Sequence, residues 1–103
     1  MNNKFRIEHL PIAEKDLTDI LEYIHIDNPA AALNLLDEID KVILKLAYFP
    51  YMGHVPKDQR LILFNYRMLV VDNYLVFYVV LDEGKIVEIR RILHGKRKYD
   101  FLV

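Results

Sequence analysis

Residues able to do chemistry concentrate at one place in this 103-residue chain. From Arg90 to Lys98 five cations (Arg90, Arg91, Lys96, Arg97 and Lys98) stand with His94 and no acid. Guanidinium forks match phosphate oxygens, and an imidazole that titrates near neutral pH serves as general acid or base. Two or three Arg and one His suffice to cleave RNA through its own 2′-hydroxyl. Alternation along a strand over residues 85–93 puts Glu88, Arg90, Ile92 and His94 on one face and Val87, Ile89, Arg91 and Leu93 on the other. Arg90 and His94 are therefore expected to project together, with Lys96 and Arg97 just beyond and Arg67 able to join from the adjoining sheet region. Lys57, Arg60, Lys98 and Tyr99 extend the set as a surface for an anionic target, and Tyr66 and Tyr99 sit near enough to stack on a base. A second reading fits the same residues. Arg90 and Arg91 then pair with acids of the first helix, and His94 is an ordinary strand-end residue.

Other site types fail on the residues. Ser is absent and Thr18 is alone within a helical pattern, which leaves no hydroxyl nucleophile. Cys is absent, which excludes disulfides, thiolate metal sites and thiol catalysis. Gly53, Gly84 and Gly95 are isolated, so no phosphate-cradling loop is present. His9, His25, His54 and His94 show no metal-binding spacing. No cofactor and no metal are expected.

The composition, 53% hydrophobic and 28% charged, is that of a folded protein, and the length fits one domain over residues 1–103. Net charge is −1, unevenly spread. Residues 1–50 carry five Lys/Arg against nine Asp/Glu, and residues 51–103 carry nine against six. A basic edge on a near-neutral domain with a pI near 6.4 points to an anionic partner at one place, not to wholesale coating of nucleic acid. Charges interrupt every 18-residue window, so no membrane span is expected. The N-terminus lacks the features of a signal peptide, which makes the cytoplasm the expected compartment.

The elements follow from periodicity. Residues 4–9 alternate at period two and read as a short strand. From Pro11 the spacing of Ile12, Ala13, Leu17, Ile20, Leu21 and Ile24 becomes helical, with Glu14 and Asp16 near the positive end of the helix dipole. Asp27-Asn28-Pro29 stops that helix and starts another, with Asn28 as cap and Pro29 in the first turn. Ala32, Leu35, Leu36, Ile39, Val42, Ile43 and Leu46 form its apolar stripe, and Pro50 closes it. Leu61 to Phe64 is either a short strand or packed loop. Three strands follow, Tyr66–Val71, Tyr74–Leu81 and Lys85–Leu93, joined by hairpin-length turns. The tail from Gly95 is expected to add at most a helical turn. Tyr23 and Tyr48 are expected at the edge of the core. The sum is an α+β fold of order β-α-α-β-β-β, a helical hairpin packed on a mainly antiparallel four-stranded sheet.

That order, together with three stretches, resembles the RelE/ParE toxins of bacterial type II toxin–antitoxin modules over nearly the whole chain. The stretches are Ala13 to Ile24 with Asp27-Asn28-Pro29-Ala30-Ala31, then Phe49-Pro50-Tyr51-Met52-Gly53, and then Tyr66–Val70, Tyr74–Tyr78 and Val87–Arg97. The resemblance implies a growth-arresting toxin, of the kind used in plasmid stabilisation, bound in a toxin–antitoxin hetero-oligomer by a cognate antitoxin. RelE-type members are ribosome-dependent mRNA endoribonucleases (mRNA interferases), whereas ParE-type members inhibit DNA gyrase. For the nuclease, the resemblance implies catalytic roles for Arg67, His94 and Arg97. The helix start Asp27-Asn28-Pro29-Ala30 and the strand exit Ile92-Leu93-His94-Gly95-Lys96-Arg97 resemble the ParE branch. The RelE pattern's terminal Tyr is unmatched, and Asp58 stands in poorly for the acidic base of some members. A ParE-like toxin with gyrase as target is therefore the expectation, with the ribosome and its mRNA as the alternative. Leu61 to Phe64 and the outer face of the helical hairpin are the expected antitoxin contacts.

Overall fold

The computed structural model describes residues 4–97. Strand β1 (Arg6–His9) leads into helix α1 (Pro11–Asp27), then α2 (Pro29–Lys45), a single helical turn α3 (Gln59–Leu63), and strands β2 (Tyr66–Val71), β3 (Tyr74–Leu81) and β4 (Ile86–His94). The hairpin break works as its residues require. Pro11 and Pro29 each open a helix, and the Asn28 side chain accepts a hydrogen bond from the Ala31 N–H at 3.1 Å. Along α2 the buried residues Ala32, Leu35, Ile39 and Ile43 lie three or four apart, so one stripe faces inward.

The sheet runs β1-β4-β3-β2, with β1 parallel to β4 and the remaining pairs antiparallel. The almost wholly apolar β3 is central, as a strand covered on both faces should be. One face packs on the helical hairpin, where Leu35, Ile39, Ile43, Val76, Tyr78, Val87, Ile89 and Ile92 form the main core. On the other face Leu61 of α3 closes a smaller cluster with Tyr66, Phe77, Val79 and Leu93. Residues 61–64 are thus neither strand nor plain loop. Asp58 accepts from the Arg60 N–H and starts a helical turn that sets Leu61 under the sheet.

Two tyrosines depart from expectation. Tyr23 and Tyr48 are 78% and 63% exposed, because Tyr23 falls outside the stripe α1 buries and Tyr48 lies in the turn that follows α2. At the turns into β2, β3 and β4 the left-handed positions are taken by Asn65, Asp72 and Lys85, and no glycine has a positive φ. Of the tail from Gly95, where a helical turn is expected, residues 95–97 make a turn in which the Arg97 N–H donates to the His94 carbonyl, and residues 98–103 lie outside the described residues.

Candidate functional site

The strand that carries the basic exit contains a β-bulge. Phe77 of β3 pairs with Arg91, but the next residue, Tyr78, pairs with Ile89, so Arg90 is an extra residue in β4. This resets the alternation. Val87, Ile89 and Ile92 all enter the main core, while Leu93 joins the opposite cluster. Arg90 lies over the Tyr66 ring at 5.7 Å and donates from Nε to Glu88 at 2.7 Å. His94 packs edge-on against Tyr74, on the helix side, at 5.3 Å. The expectation that Arg90 and His94 share a face is therefore wrong, and one inserted residue is the reason. Tyr66 is 7% exposed beneath this arrangement and offers no open ring to a base.

Arg91 meets helix one. Its guanidinium grips Asp16 with Nε and Nη2 at 2.7 and 2.9 Å, and the same carboxylate accepts the Ile92 N–H at 3.0 Å. That hydrogen bond holds the Arg91 pKa above its usual value. The clip ties α1 to the strand just past the bulge. Pairing with the first helix, left open for both Arg90 and Arg91 in the sequence, is realised by Arg91 alone.

Arg67 stands at the other end of the sheet. Its Nη1 donates to the carbonyls of Tyr51 and Gly53, both at 3.0 Å, and its guanidinium stacks 5.0 Å from the Tyr51 ring centre. Behind it the buried Tyr78 hydroxyl donates to the Pro50 carbonyl at 2.8 Å and accepts the Gly53 N–H at 2.9 Å. Burial pushes the Tyr78 pKa up. The Tyr51 hydroxyl donates to Asp82 in the β3–β4 turn, and this bond raises the Tyr51 pKa. A side chain at Gly53 would force a shift, since a Cβ would lie 2.5 Å from the Tyr78 oxygen and 2.9 Å from the Met68 carbonyl. The Phe49–Gly53 segment is thus latched to the sheet through Arg67, Tyr78 and Asp82. No sequence signal singles out Tyr51 and Asp82 as a pair. The Tyr51 segment stood out only as a stretch of resemblance, and nothing in the sequence couples it to a turn 31 residues away.

The remaining site residues divide between these ends. Arg67 pairs with Tyr78 and His94 with Tyr74, four residues along β3 and two strand spacings across, which separates their Cα atoms by about 16 Å. Arg97 stays near His94, its N–H donating to the His94 carbonyl at 2.9 Å. His94 Nδ1 accepts the Lys96 N–H at 3.1 Å. Arg60 is engaged by Asp58 through Nε and Nη2, and that contact holds the Asp58 carboxyl below its usual range. Lys57 and Lys96 are exposed, and Lys98 and Tyr99 lie outside the described residues. Arg67 therefore stands at one end of the sheet, and His94 with Arg97 at the other. Among the described residues no cluster of three or more His, Asp or Glu could hold a metal ion, and no helix is long and apolar enough to cross a membrane.

Residues 7–99 match the family model described as the ParE toxin of the type II toxin–antitoxin system, parDE. The chain belongs to the ParE toxin family. Solved structures share the fold at low identity. A chain of the chromosomal ParDE system from Pseudomonas aeruginosa superposes with a TM-score of 0.73 at 18% identity, covering 91% of this chain and 99% of that one. The Mycobacterium tuberculosis RelBE2 toxin–antitoxin complex gives 0.58 at 18% identity, with 88% and 98% covered. The isolated Escherichia coli RelE toxin gives 0.63 at 11% identity, with 95% and 92% covered. A comparison with curated proteins finds no match. The helical hairpin on a four-stranded sheet is the ParE and RelE fold, as the element order implied.

Proposed function

We propose that this ParE-family chain is the toxin of a type II module, that it arrests growth by inhibiting DNA gyrase without cutting RNA, and that a cognate antitoxin neutralises it in the cytoplasm. One observation carries the choice of target. The residues a RelE-like nuclease would need are split between the two ends of the sheet, with the Arg67 Cα about 16 Å from that of His94 and the Arg67 Nη1 spent on the carbonyls of Tyr51 and Gly53. General acid–base catalysis requires groups within hydrogen-bond reach of the same reacting atoms. A toxin that acts by binding has no such requirement. The ParE model over residues 7–99 and the P. aeruginosa ParDE structure point to the same branch, and the P. aeruginosa ParDE and M. tuberculosis RelBE2 structures support a protein partner.

The test is made in cells induced to express the chain. DNA and protein synthesis are pulse-labelled in parallel, with and without the small gene adjacent to this one. The expected result is an early fall in DNA synthesis while translation continues, relieved by co-expression of the neighbour. Immediate loss of translation with cleaved message would establish the mRNA interferase instead, with Arg67, His94 and Arg97 as the residues to mutate. Unimpaired growth on strong expression would contradict both.

A further inference from the structure

Arg67 has capacity that the latch does not use. Nη1 is committed to two carbonyls, but among the described residues Nε and Nη2 have no hydrogen-bond partner. Those two N–H groups form the parallel edge of the guanidinium that grips a carboxylate or phosphate bidentately. The edge is already positioned, because Nη1 and the Tyr51 ring hold the side chain in place, so little rotamer freedom is lost on binding.

Arg67 lines a cavity of about 370 Å³ between the latched segment, the end of α3 and the start of β2. Asp82 shares the wall, so the site holds one fixed cation and one fixed anion and is close to neutral. A doubly charged phosphate would be repelled by Asp82 more strongly than a single carboxylate is. Asn65 adds an amide that can donate or accept. Val55 and Ile62 line it at 53% and 44% exposure, and Phe64, between Ile62 and the lining Asn65 in sequence, is 56% exposed. A concave site with one charged anchor and an exposed apolar rim fits a protein segment.

We propose that this cavity is the anchor point of the antitoxin, which lays an Asp or Glu carboxylate on the Nε–Nη2 edge of Arg67 and covers Val55, Ile62 and Phe64 with flanking apolar side chains. The proposal rests on the reading above, that a protein partner neutralises this chain.

The probe is the protein encoded by the adjacent gene, titrated into full-length chain labelled with ¹⁵N-arginine. The Arg67 Nε–H resonance is expected to shift and become protected from exchange on complex formation, with no mutation needed. Arg67→Lys, which keeps the charge and loses the fork, is expected to weaken the complex about 10-fold or more, whereas Arg6→Lys, on the exposed strand at the opposite edge of the sheet, leaves it unchanged. A complex of unchanged affinity with an unprotected Arg67 Nε–H overturns the anchor and leaves the toxin–antitoxin reading standing. Absence of any complex with the unaltered chain removes that reading and the anchor with it. Inorganic phosphate is titrated as the competing anion. A saturable shift of Arg67 by phosphate equal to that caused by the antitoxin overturns the assignment to a carboxylate.

Discussion

Replacing Asp16 by Ala removes the clip that ties α1 to β4. The carboxylate and its Arg91 partner have side chains only 10% and 14% exposed, and three hydrogen bonds end on the two carboxylate oxygens. The Ile92 N–H beside the bulge loses its acceptor, a cost of about 1–3 kcal/mol. The Arg91 guanidinium loses its carboxylate partner in a mostly buried position, which costs about 3–5 kcal/mol in fully buried pairs. Because both side chains keep some solvent contact and the two terms overlap, about 3 kcal/mol is expected, or a fall in Tm of about 10–20 °C for a chain of this length. Chemical denaturation followed by circular dichroism measures it. Adding Arg91→Met to Asp16→Ala should return part of the loss, since an apolar side chain leaves no buried charge to compensate. A loss below about 1 kcal/mol for Asp16→Ala, or no recovery in the double variant, would refute the reasoning.

Gly53→Ala drives a methyl into the Tyr78 hydroxyl and should cost about 1–3 kcal/mol while loosening the Phe49–Gly53 segment, read as faster amide exchange there. Asn28→Ala removes the cap of α2 and should cost about 1 kcal/mol in the same denaturation assay. The buried Tyr78 has a pKa raised from its ordinary value of 10.0, so the folded state holds its proton where the unfolded chain releases it. Stability should be unaffected by this group below pH 10 and should fall as pH rises above it, with tyrosinate absorbance appearing later in the native titration than in the denatured one.

Sequence legibility followed the range of the interactions. Pro11, Asn28-Pro29 and the stripe from Ala32 to Leu46 are local signals, and the helices begin where they say. The run from Leu61 to Phe64 was too short for periodicity to separate strand from helix, and the capping by Asp58 decided it. The bulge at Arg90 was illegible because it depends on how β4 aligns with β3, and that single residue moved Arg90 and His94 to opposite faces. The Asp16–Arg91 clip and the Tyr51–Asp82 bond join residues far apart in sequence. The basic exit was visible as composition, but its partition between clips, ring contacts and exposed cations required the fold.

Gyrase itself is the most direct witness to the target. Purified gyrase, relaxed plasmid and ATP are incubated with increasing amounts of the chain, with programmed ribosomes carrying mRNA as the parallel substrate for the same sample. Loss of supercoiling or accumulation of cleaved plasmid, with the message intact, is the predicted result. Unimpaired supercoiling together with message cut on the ribosome would contradict it.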